Sequence, residues 1–290
     1  VVLLVSGHLY PVWEYYAPTI PYVPLPKLRV LDVDSSLGLN VADDLRVALE
    51  GASGTWLLLW QDEVVDPMGS VPFLLDQVAV GEERGYWHVR TRHYRLDGSS
   101  NLPELASTDR TPVCRFEGGI EYLGLAPDKA GNVALLWRAL RPLALDLRVQ
   151  VTISDSRGHE VTRVHLAPGG DGYPTSRWAP GRVAFVRLDL RTPAGVAEGD
   201  YTASVTLYEA DSGRPRDVLD EAGNPAGRTC SLGVLSLAGN TAGVDATAAA
   251  AEHGLLPVDH SGWAGTTVIA LGACPTEPLF PGVDFALPML

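Results

Sequence analysis

The spacing of apolar residues changes near residue 97 of this 290-residue chain, and the change divides the chain into two parts. Before residue 97, short continuous apolar runs alternate with segments whose apolar residues recur every three or four positions. Beyond residue 112, apolar and polar residues alternate in short runs that turn residues separate. The first pattern indicates strands joined by helices, and the second indicates strands joined directly by turns.

The first part, residues 1–97, is predicted to be a small Rossmann-like α/β domain with a parallel β-α-β-α-β layer. Val1–Val5 is a continuous apolar run, the pattern of a strand buried on both faces. Further strands are predicted at 28–33, 55–60 and 86–96, and helices at 40–49 and 71–80. The alternation of side chains along 86–96 is typical of a partly exposed edge strand.

The second part, residues 113–237, is predicted to be an antiparallel, Ig-like β-sandwich of about eight strands. The strands are expected at 114–116, 120–126, 132–139, 146–154, 160–166, 183–190, 201–209 and 231–237. Residues 98–112 have the composition of a linker. Residues 238–290 are expected to be a second linker followed by part of a further module, with one strand at 266–271.

The charge of the chain limits its partners. With a net charge of −13, the chain lacks the basic surface that nucleic-acid binding needs, so we expect no nucleic-acid partner. No apolar run approaches the ~18 residues that would span a bilayer. No signal peptide is visible and the first residue is Val, so we expect a fragment or a processed product.

The three cysteines show no C-x-x-C spacing, which disfavours zinc and thioredoxin-like chemistry. Cys114 and Cys230 lie near the two ends of the predicted sandwich. In an oxidising compartment they can form a disulfide that clamps its first and last strands. Burial as two small apolar side chains is the equal alternative.

Polar and aromatic side chains follow two of the predicted strands at their carboxyl ends, where open α/β folds bind ligands. If the strands at 1–5 and 55–60 are neighbours, these side chains converge, and carboxylates beside aromatic rings suit a sugar. The alternative is structural, with Asp62 and Asp66 capping the next turn and helix and both tryptophans in the core. The candidate ligand-binding residues are His8, Tyr10, Trp13, Trp60, Asp62, Glu63 and Asp66.

A second candidate lies in the sandwich, in the loop over residues 173–181. Arg177 and Trp178 can form a binding tip there, or Trp178 can close one end of the sandwich core. The chain has no G-x-S-x-G, Walker A, G-x-G-x-x-G or H-E-x-x-H motif. We therefore assign no catalytic residue, no metal ligand and no cofactor.

Three segments carry a resemblance to a known family. They are Tyr-Pro-Val-Trp-Glu-Tyr-Tyr-Ala-Pro at 10–18, Trp-Leu-Leu-Leu-Trp-Gln-Asp-Glu-Val-Val-Asp-Pro at 56–67 and Pro-Thr-Ser-Arg-Trp-Ala-Pro-Gly at 174–181. With the stretches at 119–124 and 199–209, they resemble the soluble region after the transmembrane helices of large bacterial GT-C membrane glycosyltransferases. These enzymes are similar to protein O-mannosyltransferases and lipid A aminoarabinose transferases, and the resemblance extends over about residues 1–237.

The resemblance implies a function without implying a catalytic site. Family members take a sugar from a polyprenyl-phosphate donor with acidic residues between membrane helices, and no such position occurs in this chain. The expected role is a non-catalytic accessory region on the extracytoplasmic face of the cell membrane, in the periplasm or at the cell surface. Its expected partners are a glycan or glycoprotein acceptor and the membrane, through an N-terminal transmembrane region outside this chain.

Two alternatives of other classes stay open. One is a free-standing periplasmic or surface protein whose sandwich binds carbohydrate or a protein. The other is an independent hydrolase that uses the acidic cluster after the strand at 55–60.

Overall fold

The computed structural model describes residues 1–32, 34–86, 88–97, 102–105, 110–128, 132–188, 196–197, 199–238 and 241–244. These residues form one mixed sheet with short helices, followed by two antiparallel sheets packed face to face. The protein is therefore rich in strands, with its helices confined almost entirely to the first hundred residues.

The first sheet has the strand order β2-β1-β3-β5-β4. Strand β1 pairs in parallel with both β2 and β3, whereas β5 pairs antiparallel with β3 and with β4. The strands are β1 (Val2–Val5), β2 (Tyr22–Pro24), β3 (Gly54–Leu59), β4 (Gly81–Tyr86) and β5 (Val89–Arg95). The helices are α1 (Tyr10–Tyr16), α2 (Ala42–Leu49), α3 (Asp62–Val65) and α4 (Ser70–Val78).

Alternation along β1 and β3 gives the sheet two apolar faces. On one face, Val2 and Leu4 pack against Trp13 of α1. On the other face, Leu3 and Val5 join the main core together with α2 and α4. Helices α1 and α2 therefore cover opposite faces of the parallel part of this sheet.

The structure corrects two expectations for this part of the chain. On the side of β1 away from β3, the parallel neighbour is β2 (Tyr22–Pro24), and no strand forms over residues 28–32. Since β2 already occupies that edge of β1, the later segment does not pair with β1, and Val30 is exposed. The segment at 86–96, expected to be an edge strand, is β5, which lies between β3 and β4 and pairs antiparallel with both. The sheet is consequently mixed, not wholly parallel.

The remaining strands form two antiparallel sheets, of order β10-β9-β12-β15-β16 and β11-β8-β7-β6-β13-β14. The six-stranded sheet consists of β6 (Cys114–Phe116), β7 (Ile120–Pro127), β8 (Val133–Ala139), β11 (Val183–Leu188), β13 (Val218–Leu219) and β14 (Pro225–Gly227). The five-stranded sheet of the sandwich consists of β9 (Leu147–Ser154), β10 (Glu160–Leu166), β12 (Gly199–Glu209), β15 (Cys230–Ala238) and β16 (Thr241–Val244).

Eight of these strands match the predicted ones, and three short ones were not predicted. Strands β13 and β14 form a two-strand extension of their sheet, and two or three residues carry too little pattern to be recognised. Strand β16 pairs with β15 inside the stretch expected to be a linker. Residues 245–290, including the expected strand at 266–271, lie outside the described residues.

The sheet that contains β7 and β8 lies between the other two layers. Every residue of β8 is buried, because one face packs in the sandwich and the other meets the α/β layer. Phe185 of β11 stacks on Phe73 of α4 with ring centroids 4.4 Å apart, and the Phe185 amide donates to the Met68 sulfur at 3.4 Å. Leu102 and Leu105, in the expected linker, are also buried in this core.

A disulfide between Cys114 of β6 and Cys230 of β15 joins the two sheets of the sandwich. On the opposite face of the same sheet, the buried Glu121 accepts hydrogen bonds from Arg138 at 2.6 and 2.9 Å. The pairing leaves neither charge isolated in the interior.

The chain passes very close to itself after β1. A Cβ atom placed on Gly7 would lie 1.8 Å from the carbonyl oxygen of Pro26, so only glycine fits at this crossing. Among the described residues, no helix is both long and apolar enough to cross a membrane.

Candidate functional site

The carboxyl ends of β1 and β3 lie side by side, as the sequence predicted for a pair of neighbouring strands. The Ser6 amide donates to the Trp60 carbonyl at 3.2 Å, and the ring centroids of His8 and Trp60 are 5.3 Å apart. In open α/β sheets, ligands bind in the crevice at this edge. The structure thus brings His8 and Trp60 together.

The three carboxylates after β3 diverge. Gln61, with a φ of 53°, turns the chain sharply out of β3 into α3. Asp62 then pairs with Arg90 of β5 at 2.6 Å, and Glu63 is exposed. The carboxylates therefore do not converge on one position.

Asp66 acts as the cap of α4. Its carboxylate is 3% exposed and accepts hydrogen bonds from the backbone amides of Ser70 and Val71 at 2.6 and 2.9 Å. Burial raises the pKa of Asp66 to about 6, and the two amide bonds oppose that rise. This is the structural role that the sequence left open for Asp66.

The other aromatic candidates lie elsewhere. Trp13, on α1, is buried against the sheet, and its indole N–H donates to the Ile20 carbonyl at 3.2 Å. Tyr10 packs against the same small cluster, on the opposite face of the sheet from the main core. Both residues hold α1 to the sheet.

The loop at 173–181 packs over one end of the sandwich. Trp178 is 3% exposed, stacks on Tyr173, and donates its indole N–H to the Tyr173 carbonyl at 3.1 Å. Of the two roles left open by the sequence, the structure gives Trp178 the core position. Arg177 is exposed beside the Tyr173 ring.

A cavity of about 330 Å³ opens where the α/β layer meets the sandwich. We call it the interlayer cavity. Of the candidate residues, only Asp62 lines it. The lining residues are Leu59, Asp62, Gly69, Pro72, Asp76, Arg90, Arg92, Asp128, Asn132 and Arg187.

Three ion pairs form most of the polar wall of the interlayer cavity. Arg90 pairs with Asp62 at 2.6 Å, Arg92 with Asp76 at 3.4 Å, and Arg187 with Asp128 at 3.0 Å. The side chains of Asp62, Asp76 and Asp128 are 16%, 14% and 7% exposed. Such an arrangement offers hydrogen-bond donors and acceptors side by side.

Sequence reasoning missed most of these residues. The alternation along 86–96 already places Arg90 and Arg92 on one face, but an exposed edge strand suggested that this face meets solvent. The register pairs Arg90 with Leu59 and Arg92 with Leu57, so this is the core-facing side of the sheet. Asp128, Asn132 and Arg187 come from the sandwich, and no local pattern links them to β5.

A larger cavity of about 500 Å³ lies at the far end of the sandwich. It is formed by the turn around Gly118 and Gly119 and by the hairpin of β13 and β14, and it contains none of the candidate residues. Across the described part of the chain, no group of three or more histidine, cysteine or acidic side chains is placed to hold a metal ion.

Comparison with known proteins gives no family. No protein-family model matches the chain, and no curated protein does. Among solved structures, a β-glucuronidase 2 of Bacteroides uniformis, covalently bound to cyclophellitol-6-carboxylate aziridine, is 11% identical with a TM-score of 0.22. That match covers 47% of this chain and 19% of the glucuronidase.

Two further solved structures are similarly distant. A putative β-galactosidase of Bacteroides fragilis is 14% identical with a TM-score of 0.21, over 45% of this chain and 18% of that one. An endonuclease/exonuclease/phosphatase of Beutenbergia cavernae is 13% identical with a TM-score of 0.21, over 68% of this chain and 62% of that one. The chain spans about a fifth of either glycosidase, and at these scores none of the three carries an argument.

Proposed function

We propose that this chain is a non-catalytic, extracytoplasmic region of a membrane glycosyltransferase, where it contacts the glycan or glycoprotein acceptor. The resemblance of the segments at 10–18, 56–67 and 174–181 supports the proposal. Trp13 and Trp56, from the first two segments, belong to one apolar cluster. The third segment begins beside the second, since a Cβ on Gly172 would lie 3.3 Å from the Pro67 Cβ.

The arrangement of the carboxylates after β3 carries the non-catalytic part of the proposal. Hydrolysis by two carboxylates needs them to face one substrate position from two sides. Here Asp62 pairs with Arg90, Asp66 caps α4 and Glu63 faces solvent. Contact with an acceptor suits these three surroundings better than acid–base chemistry does.

The proposal includes the finer architecture. We propose that residues 1–97 are a reduced Rossmann-like domain, 98–112 a linker and 113–237 an Ig-like sandwich. The parallel order β2-β1-β3, with α1 and α2 on opposite faces, supports the first of these. A crystal structure in which both helices cover one face would contradict it.

The size and location of the native protein test the membrane assignment. An antibody against this region should detect, in the membrane fraction, a species far heavier than 31.0 kDa. Extraction with detergent, but not with high salt, should release it, because a transmembrane anchor is held by the bilayer core. A species near 31.0 kDa in the soluble fraction would contradict the proposal and favour the free-standing binding protein.

An activity panel tests the non-catalytic assignment. The purified chain should show no turnover on a set of aryl glycosides and aryl esters, at any pH between about 4 and 8. If turnover appears, the double variant Asp62→Asn, Glu63→Gln decides its origin. Activity lost from a folded variant would establish the hydrolase, which is the competing assignment.

A further inference from the structure

We infer that the interlayer cavity binds a single neutral sugar unit, held between the α/β layer and the sandwich. The inference deepens the proposed function, on which it rests for the source of that sugar. It assigns ligand contacts to Asp62 and to five residues that the sequence did not nominate: Arg90, Arg92, Asp128, Asn132 and Arg187.

The size of the cavity limits the ligand. Small-molecule pockets usually measure about 300–1,000 Å³, and this one, at about 330 Å³, is at the lower end. It is large enough for one ring with its substituents and too small for an extended chain to be enclosed. Leu59 and Pro72 give one part of the wall an apolar surface for the C–H face of such a ring.

The charges favour a neutral ligand. The wall has three arginines and three aspartates, so its formal charge sums to zero, and each arginine is paired with an aspartate of the same wall. An anion would have to compete with those carboxylates for the guanidinium groups. Hydroxyl groups instead donate to the carboxylates and accept from the guanidinium groups, so the ion pairs stay intact and no unpaired charge is buried.

The wall is held in place before any ligand binds. Arg92 contacts Glu83 at 2.5 Å as well as Asp76, and the Tyr94 hydroxyl donates to Asp76 at 3.1 Å. The Tyr94 hydroxyl is a donor at neutral pH, because burial raises its pKa above an ordinary value that already lies well above 7. Fixed donors and acceptors lose little entropy on binding, which favours a specific ligand.

The sandwich contributes the far side of the wall. The Arg187 guanidinium lies over the rings of Phe73 and Phe185, 5.4 and 5.8 Å from their centroids. It therefore contacts both layers and the cavity together. A ligand that touches Arg90 and Arg187 bridges the layers, so binding should stabilise the interface between them.

The test is a titration of the folded chain with single sugars, followed by protein NMR shifts. The neutral probes are the methyl glycosides of glucose, galactose and mannose, and the anionic probes are methyl glucuronide and inorganic phosphate. We expect at least one neutral glycoside to bind in the millimolar range and to shift the Arg side-chain signals of the cavity. The anionic probes should bind about tenfold more weakly or not at all.

Two variants and a matched control locate the site. Arg90→Gln should weaken binding about tenfold, the effect of losing one charge-assisted hydrogen bond. Asn132→Ala, a milder change in the same wall, should weaken it about threefold and serves if Arg90→Gln does not fold. Arg148→Gln removes an exposed ion pair with Asp171 outside the cavity and should leave the affinity unchanged.

Three results would overturn the inference. They are the absence of a shift with any neutral glycoside up to about 50 mM, an anionic probe that binds more tightly than the neutral glycosides, or folded cavity variants whose affinity equals that of the wild type. These outcomes are separable from those of the proposed function. Failure to bind sugar leaves the membrane attachment of the native protein untouched. A free-standing native protein, conversely, leaves sugar binding in the cavity intact.

Discussion

At the scale of single residues, Asp66 combines burial with a structural task. Its carboxylate caps α4 while excluded from water, and burial raises its pKa to about 6. A carboxyl group whose pKa is raised in the folded state favours folding when protonated. Its contribution to stability is complete below the unfolded pKa of 3.8 and is lost as the pH rises through about 6.

The variant Asp66→Asn tests this. The amide cannot ionise and, like the protonated carboxyl, offers one carbonyl acceptor to the two helix amides, so we expect the two proteins to differ little in stability near pH 4. The difference should shift in favour of the variant by about 3 kcal/mol between about pH 4 and pH 7, from a pKa shift of about two units. Urea unfolding at several pH values measures it.

The control is Asp171→Asn, at an exposed position. The difference between its free energy of unfolding and that of the wild type should not follow this pH course. Parallel pH profiles for wild type and Asp66→Asn would show that the carboxylate is not desolvated as described. The sequence had offered the capping role of Asp66 only as an alternative, because a cap and a ligand-binding carboxylate follow a strand in the same way.

Glu121 gives a second prediction at this scale. The variant Glu121→Gln removes the buried carboxylate that pairs with the Arg138 guanidinium, so we expect a loss of about 3 kcal/mol in the free energy of unfolding. Glu117→Gln, which removes an exposed partner of Arg214, should change little. Equal effects of the two variants in urea unfolding would contradict the buried role of Glu121.

At the scale of elements, sequence patterns located most helices and strands, and geometry decided the rest. Periodicity placed β1, β3, α4 and eight of the sandwich strands within a few residues. It predicted a strand at 28–33 and did not identify β2 as the partner of β1, because pairing with β1 is a long-range choice. Nor could it give the direction of β5, since an antiparallel hairpin with β4 and a parallel crossover show the same alternation.

For the candidate site too, local patterns predicted one part and long-range packing decided the other. The sequence brought His8 and Trp60 together on the condition that β1 and β3 are neighbours, because the carboxyl ends of adjacent parallel strands meet at one edge, and the structure fulfils that condition. The interlayer cavity was not predicted, because three of its seven polar lining residues, Asp128, Asn132 and Arg187, come from the sandwich. Local patterns carry no information about which sheets pack together.

The disulfide belongs to this scale because it joins two elements, β6 and β15. It closes a loop with a sequence separation of 116 residues, which restricts the unfolded chain strongly. The double variant Cys114→Ser, Cys230→Ser should lose about 3–5 kcal/mol in the free energy of unfolding. Wild type unfolded in the presence of a reductant should show the same loss, and a change below about 1 kcal/mol in both would contradict this.

At the scale of the whole molecule, the apolar core runs without interruption from the α/β layer into the sandwich. Phe185 and Phe73 stack across the boundary between them. We therefore expect a single cooperative unfolding transition, seen at the same temperature by far-UV and near-UV circular dichroism. Two separate transitions would show that the layers are independent folding units.

The variant Phe185→Ala tests the same boundary. Loss of this ring should destabilise the protein by about 3–5 kcal/mol and lower by the same amount the unfolding temperatures seen by far-UV and near-UV circular dichroism. Val47→Ala, at an exposed position on α2, is the control and should leave the midpoint almost unchanged. A variant that unfolds the sandwich alone, with the α/β layer still folded, would contradict a shared core.

The crossing at Gly7 has a consequence for reading the sequences of relatives. A side chain at this position is excluded only because the carbonyl of Pro26 lies where its Cβ would be. The two positions should therefore vary together: a relative with another residue at position 7 should also carry an insertion or deletion between α1 and the end of β2. In an alignment, that pairing identifies relatives in which the chain follows a different path past the carboxyl end of β1.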